Sequence, residues 1–192
     1  APVTGSFDGN GLWTGTVTVP SGAQDGTCVI TVSGAVDQSE NVMDPATFDA
    51  PVVDNTPPAV PAITSTAPVG TTANPSYTLT GTAEAGATVK IYNAGSLVGT
   101  VTAEAEGHWS CALTLEDGAT ALTVTATDAA GNVSTAVADS SWTIDTTAPE
   151  VATIARTQPG PVTPADTLEW RVTFTEPVTG GDAGDFVVTS VD

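Results

Sequence analysis

The feature that most constrains this chain is a segment of about 90 residues that occurs more than once in 192 positions. GLWTGTVTV (11–19) aligns with GHWSCALTL (107–115), and VDNTPPA (53–59) aligns with IDTTAPE (144–150). The offset between matching positions shifts from 96 to 91 through small length changes in turns. A unit of this length has the size of a small sandwich domain. The repeat predicts three consecutive units, at residues 1–56, 57–146 and 147–192.

Within the middle unit, apolar and polar residues alternate with a period of two almost throughout. Clusters of Gly, Asn, Asp and Pro separate the alternating stretches, which indicates turns between short strands. About seven such strands in a unit of this size are typical of a two-sheet antiparallel sandwich of the immunoglobulin type. We therefore predict an all-β chain of tandem immunoglobulin-like antiparallel β-sandwiches, one complete and two partial. The predicted strands of the complete one are 62–66, 76–83, 87–93, 96–103, 108–115, 120–128 and 140–145.

One phase of the alternation supplies the predicted core of the middle unit. Trp109 and its counterpart Trp13 are expected to fill cores rather than to form ligand platforms, because each occupies one phase of an alternating strand. The predicted core residues of the middle unit are Tyr77, Leu79, Val89, Ile91, Val101, Trp109, Leu113, Leu122, Val124 and Trp142.

The outer units carry fewer strands than a sandwich needs. Residues 1–56 are expected to supply the last three strands of a unit, and residues 147–192 the first two or three. Half a sandwich leaves an open sheet edge and an uncovered apolar face. Either the chain is a segment of a longer polypeptide, or neighbouring copies complete the halves. The absence of an initiator Met favours the first interpretation.

The charge balance argues against several classes of partner. Asp and Glu number 22 against three Lys and Arg, which gives a formal net charge of −19. A basic patch cannot be assembled from three cations, so nucleic acid and anionic membrane surfaces are not expected partners. The sequence has no run of 18 apolar residues, so direct membrane insertion is not predicted either.

Catalytic residue types are scarce. His108 is the only histidine, and its place beside Trp109 on an alternating strand predicts exposure to solvent. A nucleophilic triad and a zinc site both lack the residues they need. Cys28 and Cys111 are interpreted as separate strand thiols, and a disulfide between neighbouring molecules remains the second interpretation. We predict that the chain is not an enzyme.

Acidic residues gather where successive units meet. In a sandwich of this type, the turns after the second and sixth strands lie at the pole where the chain begins a unit, and the turn after the fifth strand lies at the opposite pole. The linker acid between two units is therefore expected to lie near turn acids of both. The first junction is predicted to gather Asp25, Asp54, Glu84, Asp128 and Asn132, and the second Glu116, Asp117, Asp145 and Glu176.

These side chains predict a calcium site at each junction. Carboxylates within about 4 Å of one another repel by about 4 kcal/mol per pair at an effective dielectric near 20. Calcium neutralises such crowding, because it takes six to eight oxygen ligands in irregular geometry. A metal-free interpretation also stands: DAAGN (128–132) forms a good turn through local hydrogen bonds, and the linker prolines stiffen the chain by themselves.

Several stretches together resemble the tandem bacterial immunoglobulin-like domains of giant secreted adhesins and other large repetitive surface proteins. They include TGTAEAGATVKIY (80–92), TVTATDAAGNVS (123–134) and IDTTAP (144–149). The resemblance implies secreted extender modules whose partners are neighbouring immunoglobulin-like domains and which calcium stiffens near the linkers. It supports Asp54, Asp128 and Asp145 as metal ligands, with Glu84 and Glu176 as further candidates. In the first unit DQSEN (37–41) carries Glu40 where Gly131 stands, so Asp37 and Asn41 are left out of the predicted ligands.

Three functions fit these features. The first, which we favour, is a non-catalytic extender segment of an extracellular bacterial adhesin or surface filament with calcium-stiffened junctions. The second is a module that binds carbohydrate or ice, against which the low aromatic content of 5% counts. The third is a linker module of a secreted polysaccharide-degrading enzyme.

Overall fold

The protein is described by a computed structural model whose described residues are 3–8, 11–20, 22–157, 160, 167–187 and 189. The chain divides into two units, residues 1–144 and 145–192, which are considered separately. Among the described residues, the regular elements are β-strands and one 3-10 turn, with no α-helix. The described part of the chain accordingly holds no helix long and apolar enough to cross a membrane.

The first segment of the larger unit consists of two separate antiparallel hairpins. β1 (Val3–Phe7) pairs with β2 (Trp13–Val17), and β3 (Gly26–Val32) pairs with β4 (Ala46–Val53). The sequence predicted three strands here, and β1 is the additional one. Its five residues alternate over too short a stretch to be recognised by periodicity alone.

The middle segment forms the complete sandwich. All seven predicted strands are present, with shortened ends, and three further short strands, at 71–72, 118–119 and 137–138, lie outside the predicted ranges. The strands are β5 (Ala62–Ile63), β6 (Thr71–Thr72), β7 (Ser76–Thr82), β8 (Thr88–Asn93), β9 (Ser96–Thr102), β10 (His108–Thr114), β11 (Gly118–Ala119), β12 (Leu122–Thr127), β13 (Val137–Ala138) and β14 (Thr143–Ile144).

Two sheets enclose the core of this sandwich. One has the strand order β10-β7-β5, and the other has the order β13-β12-β8-β9, with antiparallel pairing throughout. A short third sheet, in the order β11-β14-β6, contains one parallel pair, between β14 and β6. Antiparallel sheets that bury one face each produce the alternation on which the sequence prediction rested. The predicted fold class is confirmed.

The core lies between the two larger sheets and contains most of the predicted residues. Tyr77 and Val101 are half-buried at its margin rather than inside it. Leu115 and Ile144 are buried although the sequence analysis did not assign them to the core. The predicted residues that are buried are Leu79, Val89, Ile91, Trp109, Leu113, Leu122, Val124 and Trp142.

Strand pairing defines two poles of the middle sandwich. Ala62 pairs with Thr82, and Thr88 pairs with Thr127, so β5 and β8 begin at the pole where β7 and β12 end. The turns after β7 and β12 therefore lie at this N-terminal pole. Gly118 pairs with Ile144, which puts the turn before β11 at the C-terminal pole, beside the end of β14. This is the placement of turns that the sequence predicted.

The smaller unit, residues 145–192, is a hairpin followed by a short turn. β15 (Val151–Arg156) pairs antiparallel with β16 (Trp170–Phe174), and Thr153 and Thr173 are hydrogen-bonded across the pair with 2.5 Å between their Oγ1 atoms. A 3-10 turn follows at Ala183–Asp185. The described residues of this unit thus contain two strands, within the predicted two or three.

Candidate interdomain site at the first junction

The first junction is the region where the ends of the β3–β4 hairpin meet the N-terminal pole of the middle sandwich. Gly26 pairs with Val53 at the end of that hairpin. Asp25 directly precedes Gly26 and Asp54 directly follows Val53, so strand register alone places the two acids at the same end of the hairpin. Both side chains are exposed.

Asp25 holds the linker that follows β4. Its Oδ1 accepts a hydrogen bond of 2.6 Å from the backbone nitrogen of Asn55, and its Oδ2 accepts one from the Thr56 hydroxyl. The Asn55 side-chain amide donates to the carbonyl of Ala23 at 2.7 Å. These residues line an open cleft of about 490 Å³. The hydrogen bonds from Thr56 and Asn55 hold the pKa of Asp25 below its ordinary value, while burial and the charge of Asp128 act in the opposite direction.

The middle sandwich contributes the loop after β12. The backbone nitrogen of Asn132 donates to Asp128 Oδ1 at 2.9 Å, and its side-chain amide donates to Asp128 Oδ2 at 2.9 Å. The side-chain hydrogen bond from Asn132 is the main reason why the pKa of Asp128 lies below its ordinary value. Gly131, with φ of 96°, supplies the left-handed residue that closes the loop.

Asn132 also reaches the linker. Its side-chain amide donates to the Asp54 carbonyl at 3.1 Å and lies 3.4 Å from Asp54 Oδ1. Asp54 Oδ1 in turn accepts from the backbone nitrogen of Thr56 at 3.0 Å. The linker is therefore held from one side by Asp25 and from the other by Asn132.

Four of the five residues predicted for the first junction are joined by these contacts. Glu84 lies at the same pole, in the turn between β7 and β8, where its carbonyl accepts from the backbone nitrogen of Ala87 at 3.0 Å. Its side chain is exposed, and the described hydrogen bonds do not connect it with Asp54 or Asp128. Asn55 and Thr56 belong to the site but were not predicted. The signal for them was their position directly after the linker acid in VDNTPP.

The donor types at this junction fit calcium, but the carboxylates are not assembled around a single point. Carboxylate, amide and backbone oxygens are the ligands that calcium takes. Among the described residues, however, no three Asp, Glu, His or Cys side chains form a group that could hold a metal ion. Asp25, Asp54 and Asp128 would have to move closer together to share one ion.

The C-terminal pole repeats the arrangement of the β3–β4 hairpin. Asp117 directly precedes Gly118, which pairs with Ile144, just as Asp25 precedes the residue that pairs with Val53. Glu116 and Asp117 are both exposed. The register thus gives Asp117 the position that Asp25 occupies at the first junction.

The smaller unit holds the other two residues predicted for the second junction. Asp145 Oδ1 accepts a hydrogen bond from the backbone nitrogen of Thr147 at 3.2 Å, as Asp54 does from Thr56. Glu176 Oε1 is shielded from solvent and has no hydrogen-bond partner among the described residues. A buried carboxylate oxygen without a donor is unfavourable, and a cation is one way to satisfy it.

The middle sandwich is similar in sequence to a known family. The sequence profile of the family described as bacterial Ig domain matches residues 63–140. The middle sandwich is therefore similar to bacterial Ig domains, and it is called the Ig domain below. A solved structure described as a biofilm associated protein BSP domain is similar over 64% of this chain, with 23% identity and a TM-score of 0.32, and the match covers 19% of that structure's chain. The search of curated proteins found no match.

The loop that the Ig domain uses at the first junction has a counterpart in the first segment. Asn41 donates to Asp37 from its backbone at 2.9 Å and from its side chain at 2.8 Å, the same pair of bonds that joins Asn132 to Asp128. Glu40 adopts a φ of 67° at the position where the Ig domain has Gly131. The loop therefore closes in the same way despite the substitution that the sequence analysis noted. It lies at the end of the β3–β4 hairpin opposite to Asp25.

The residues considered for catalysis lie apart on strands. His108 is exposed on β10, as predicted. Cys28 on β3 and Cys111 on β10 are free thiols, in agreement with the interpretation as strand thiols. Burial raises the pKa of Cys111, which disfavours the reactive thiolate.

Proposed function

We propose that the chain is a non-catalytic extender segment of an extracellular bacterial surface protein, an adhesin or filament built from successive Ig-like domains. The observation that carries this proposal is the hydrogen bond from Asn132 of the Ig domain to the Asp54 carbonyl of the preceding linker. Together with the bonds from the linker to Asp25, it restricts bending between consecutive modules. Restricted bending is what a stalk needs and what an enzyme or a small-ligand site does not require. The proposed partners of this extender segment are neighbouring Ig-like domains of the same or adjacent chains.

We further propose that calcium stiffens the junctions. Asp25, Asp54 and Asp128 carry negative charge into one region of a chain with a net charge of −19. Hydrogen bonds from Thr56 and Asn55 keep the pKa of Asp25 below its ordinary value, against the smaller opposing effect of the Asp128 charge. The residues that would hold the ion at the first junction are these three with Asn132, and Glu84 if its turn moves towards them. For the second junction, the ligand set Glu116, Asp117, Asp145 and Glu176 stays a prediction from the sequence. The ion would draw these carboxylates together, neutralise their charge and add no chemistry of its own.

The first prediction concerns removal of calcium. Saturating calcium at a hundredfold excess over its dissociation constant would stabilise the folded chain by about 2.7 kcal/mol. For a domain of about 90 residues, that free energy corresponds to a rise of roughly 10–20 °C in melting temperature. We expect a chelator to lower the melting temperature measured by circular dichroism and to shorten the maximum dimension measured by small-angle X-ray scattering. Identical melting and scattering with calcium and with chelator would contradict the calcium proposal and leave a metal-free extender.

The second prediction tests the ligands of the first junction. The double variant Asp54→Asn with Asp128→Asn removes two negative charges and keeps side chains of the same shape. Each asparagine retains one acceptor oxygen, so at position 128 one of the two hydrogen bonds from Asn132 is lost. We expect it to lose more than about half of the calcium-induced rise in melting temperature, because calcium favours charged oxygen ligands. The matched control is Asp37→Asn. It makes the same change in the counterpart loop between β3 and β4, at the end of that hairpin away from the first junction. An equal loss of calcium response in the control would show that the effect is general electrostatics and not ligation.

A further inference from the structure

The first and last strands of the Ig domain are each interrupted once. β5 pairs with β7, and the chain then crosses through residues 64–70 to β6, which pairs with β14 instead. At the other end, β13 pairs with β12, and the chain crosses through residues 139–142 to β14. Each crossover is a stretch of chain without strand pairing that can lengthen when its ends are pulled apart.

Tyr77 on β7 joins these two crossovers. Its phenol oxygen lies 3.1 Å from Ser65 Oγ in the first crossover and 3.1 Å from Asp139 Oδ2 in the second. The phenol has one proton, which the carboxylate accepts in a charge-assisted hydrogen bond, and the Ser65 hydroxyl can donate to the phenol oxygen. Ser65 Oγ also lies 3.2 Å from the Thr80 nitrogen, which donates to it and ties the crossover to β7.

Packing fixes the position of this phenol. The Tyr77 ring meets the buried Trp142 ring edge to face, with centroids 4.7 Å apart. Partial burial is the main reason why the pKa of Tyr77 lies above its ordinary value, so the phenol keeps its proton at neutral pH. Asp139 is itself held by its backbone nitrogen, which donates to the Leu122 carbonyl at 3.1 Å.

The pairing of β6 with β14 determines how tension acts on the domain. The two strands are parallel, with Thr143 opposite Thr71 and Ile144 opposite Thr72. Tension along the chain pulls β6 towards its N-terminus and β14 towards its C-terminus, so the two strands are loaded in opposite directions and their hydrogen bonds break together. This patch is only two residue pairs long, and a contact between the crossovers that precede β6 and β14 would support it.

We propose that Tyr77, Ser65 and Asp139 form a load-bearing clasp that joins the first and last strands of the Ig domain and sets the force at which it opens under end-to-end tension. The biological need for such a clasp rests on the proposed extender function. The mechanical claim does not, because it depends only on contacts inside one domain. The clasp residues also lie away from the acidic residues of the first junction.

The test is single-molecule stretching of the whole chain between its termini. Opening of the Ig domain should appear as an event with a contour-length gain of about 300 Å, the extended length of about 90 residues less the folded span. We expect Tyr77→Phe, which keeps the ring and loses the hydroxyl, to raise the opening rate at a fixed force about tenfold, as expected for one charge-assisted hydrogen bond. Asp139→Ala should raise the opening rate by the same factor. The double variant should open no faster than either single variant, because both substitutions remove the same hydrogen bond.

The matched control is Ser134→Ala. Ser134 Oγ accepts a buried hydrogen bond of 2.9 Å from the Ala126 nitrogen outside both crossovers, so its loss destabilises the domain without touching the clasp. We expect Ser134→Ala to lower stability to urea while the opening force stays within error. An unchanged opening force in Tyr77→Phe, or an equal loss in Ser134→Ala, would overturn the clasp. Should Tyr77→Phe fail to fold, Ser65→Ala gives the same comparison. The stretching is done without calcium, so its outcome is independent of the calcium experiments.

Discussion

Replacing Trp109 by alanine is expected to lower the free energy of unfolding of the Ig domain by about 3–5 kcal/mol. The side chain is 4% exposed and lies in the cluster that joins both sheets, so its removal leaves a cavity that the surrounding strands cannot fill. The measurement is urea unfolding followed by circular dichroism, in which the transition midpoint should fall with little change in slope. Against an ordinary stability of about 5–15 kcal/mol, this loss is at least about a fifth of the total.

The matched control for this prediction is Trp13→Ala. Trp13 is the counterpart of Trp109 in the repeat, but it lies on a two-stranded hairpin and is 45% exposed. We expect its replacement to leave the unfolding transition of the Ig domain unchanged. A similar shift in both variants would mean that Trp109 acts through a general effect of losing an aromatic residue and not through its place in the core.

The core could be predicted from the sequence because alternation and burial follow the same period. Leu79 and Val124 are fully buried, since each occupies the apolar phase of a strand that faces the opposite sheet. Leu115 and Ile144 were not assigned to the core, although they continue the buried phase of Leu113 and Trp142 and lie inside the predicted strands. Trp13 was predicted to fill a core, and its exposure shows that the right phase is not enough when no second sheet covers the strand.

Strand interruptions could not be predicted from alternation. The sequence predicted one strand at 62–66, whereas the structure has β5 and β6 on either side of a crossover that contains Pro68 and Gly70. Alternation shows which face a residue occupies and carries no information about the strand it pairs with. The parallel pairing of β14 with β6, on which the clasp argument depends, therefore required the structure.

Which residues lie at the first junction could be predicted from the sequence, but which hydrogen bonds they make could not. Aligning the repeats gave Asp25, Asp54, Asp128 and Asn132, because strand register places residues beside strand ends at one pole. The alignment could not show that Asn132 acts as a donor to the linker carbonyl. In the sequence analysis it was a calcium ligand, and in the structure it joins two modules directly.

These contacts allow two modes of stiffening at one junction. The hydrogen bonds of Asp25 and Asn132 hold the linker without metal, and calcium, as proposed, would add to them by drawing the carboxylates together. The calcium experiments separate the two modes, because only the second is lost on chelation. A junction that keeps part of its stiffness without metal is the outcome that these contacts favour.

Replacing Gly81 by alanine is expected to destabilise the Ig domain by about 3 kcal/mol, at the upper end of ordinary overpacking. An added Cβ would lie 2.0 Å from the Ala62 carbonyl oxygen and 2.4 Å from Cζ2 of Trp109. The first of these atoms is backbone, so β5 would have to move away from β7, with which it pairs through Ala62 and Ile63. The backbone nitrogen of Thr64, which follows β5, also donates to the Thr80 carbonyl at 2.8 Å and resists this movement. The melting temperature measured by circular dichroism should fall by roughly 12–24 °C. The control is Gly181→Ala, because Gly181 has no atom within 4 Å of the added Cβ and lies in the smaller unit. If Gly81→Ala melted like the control, the close packing of Trp109 against β7 and β5 would be wrong.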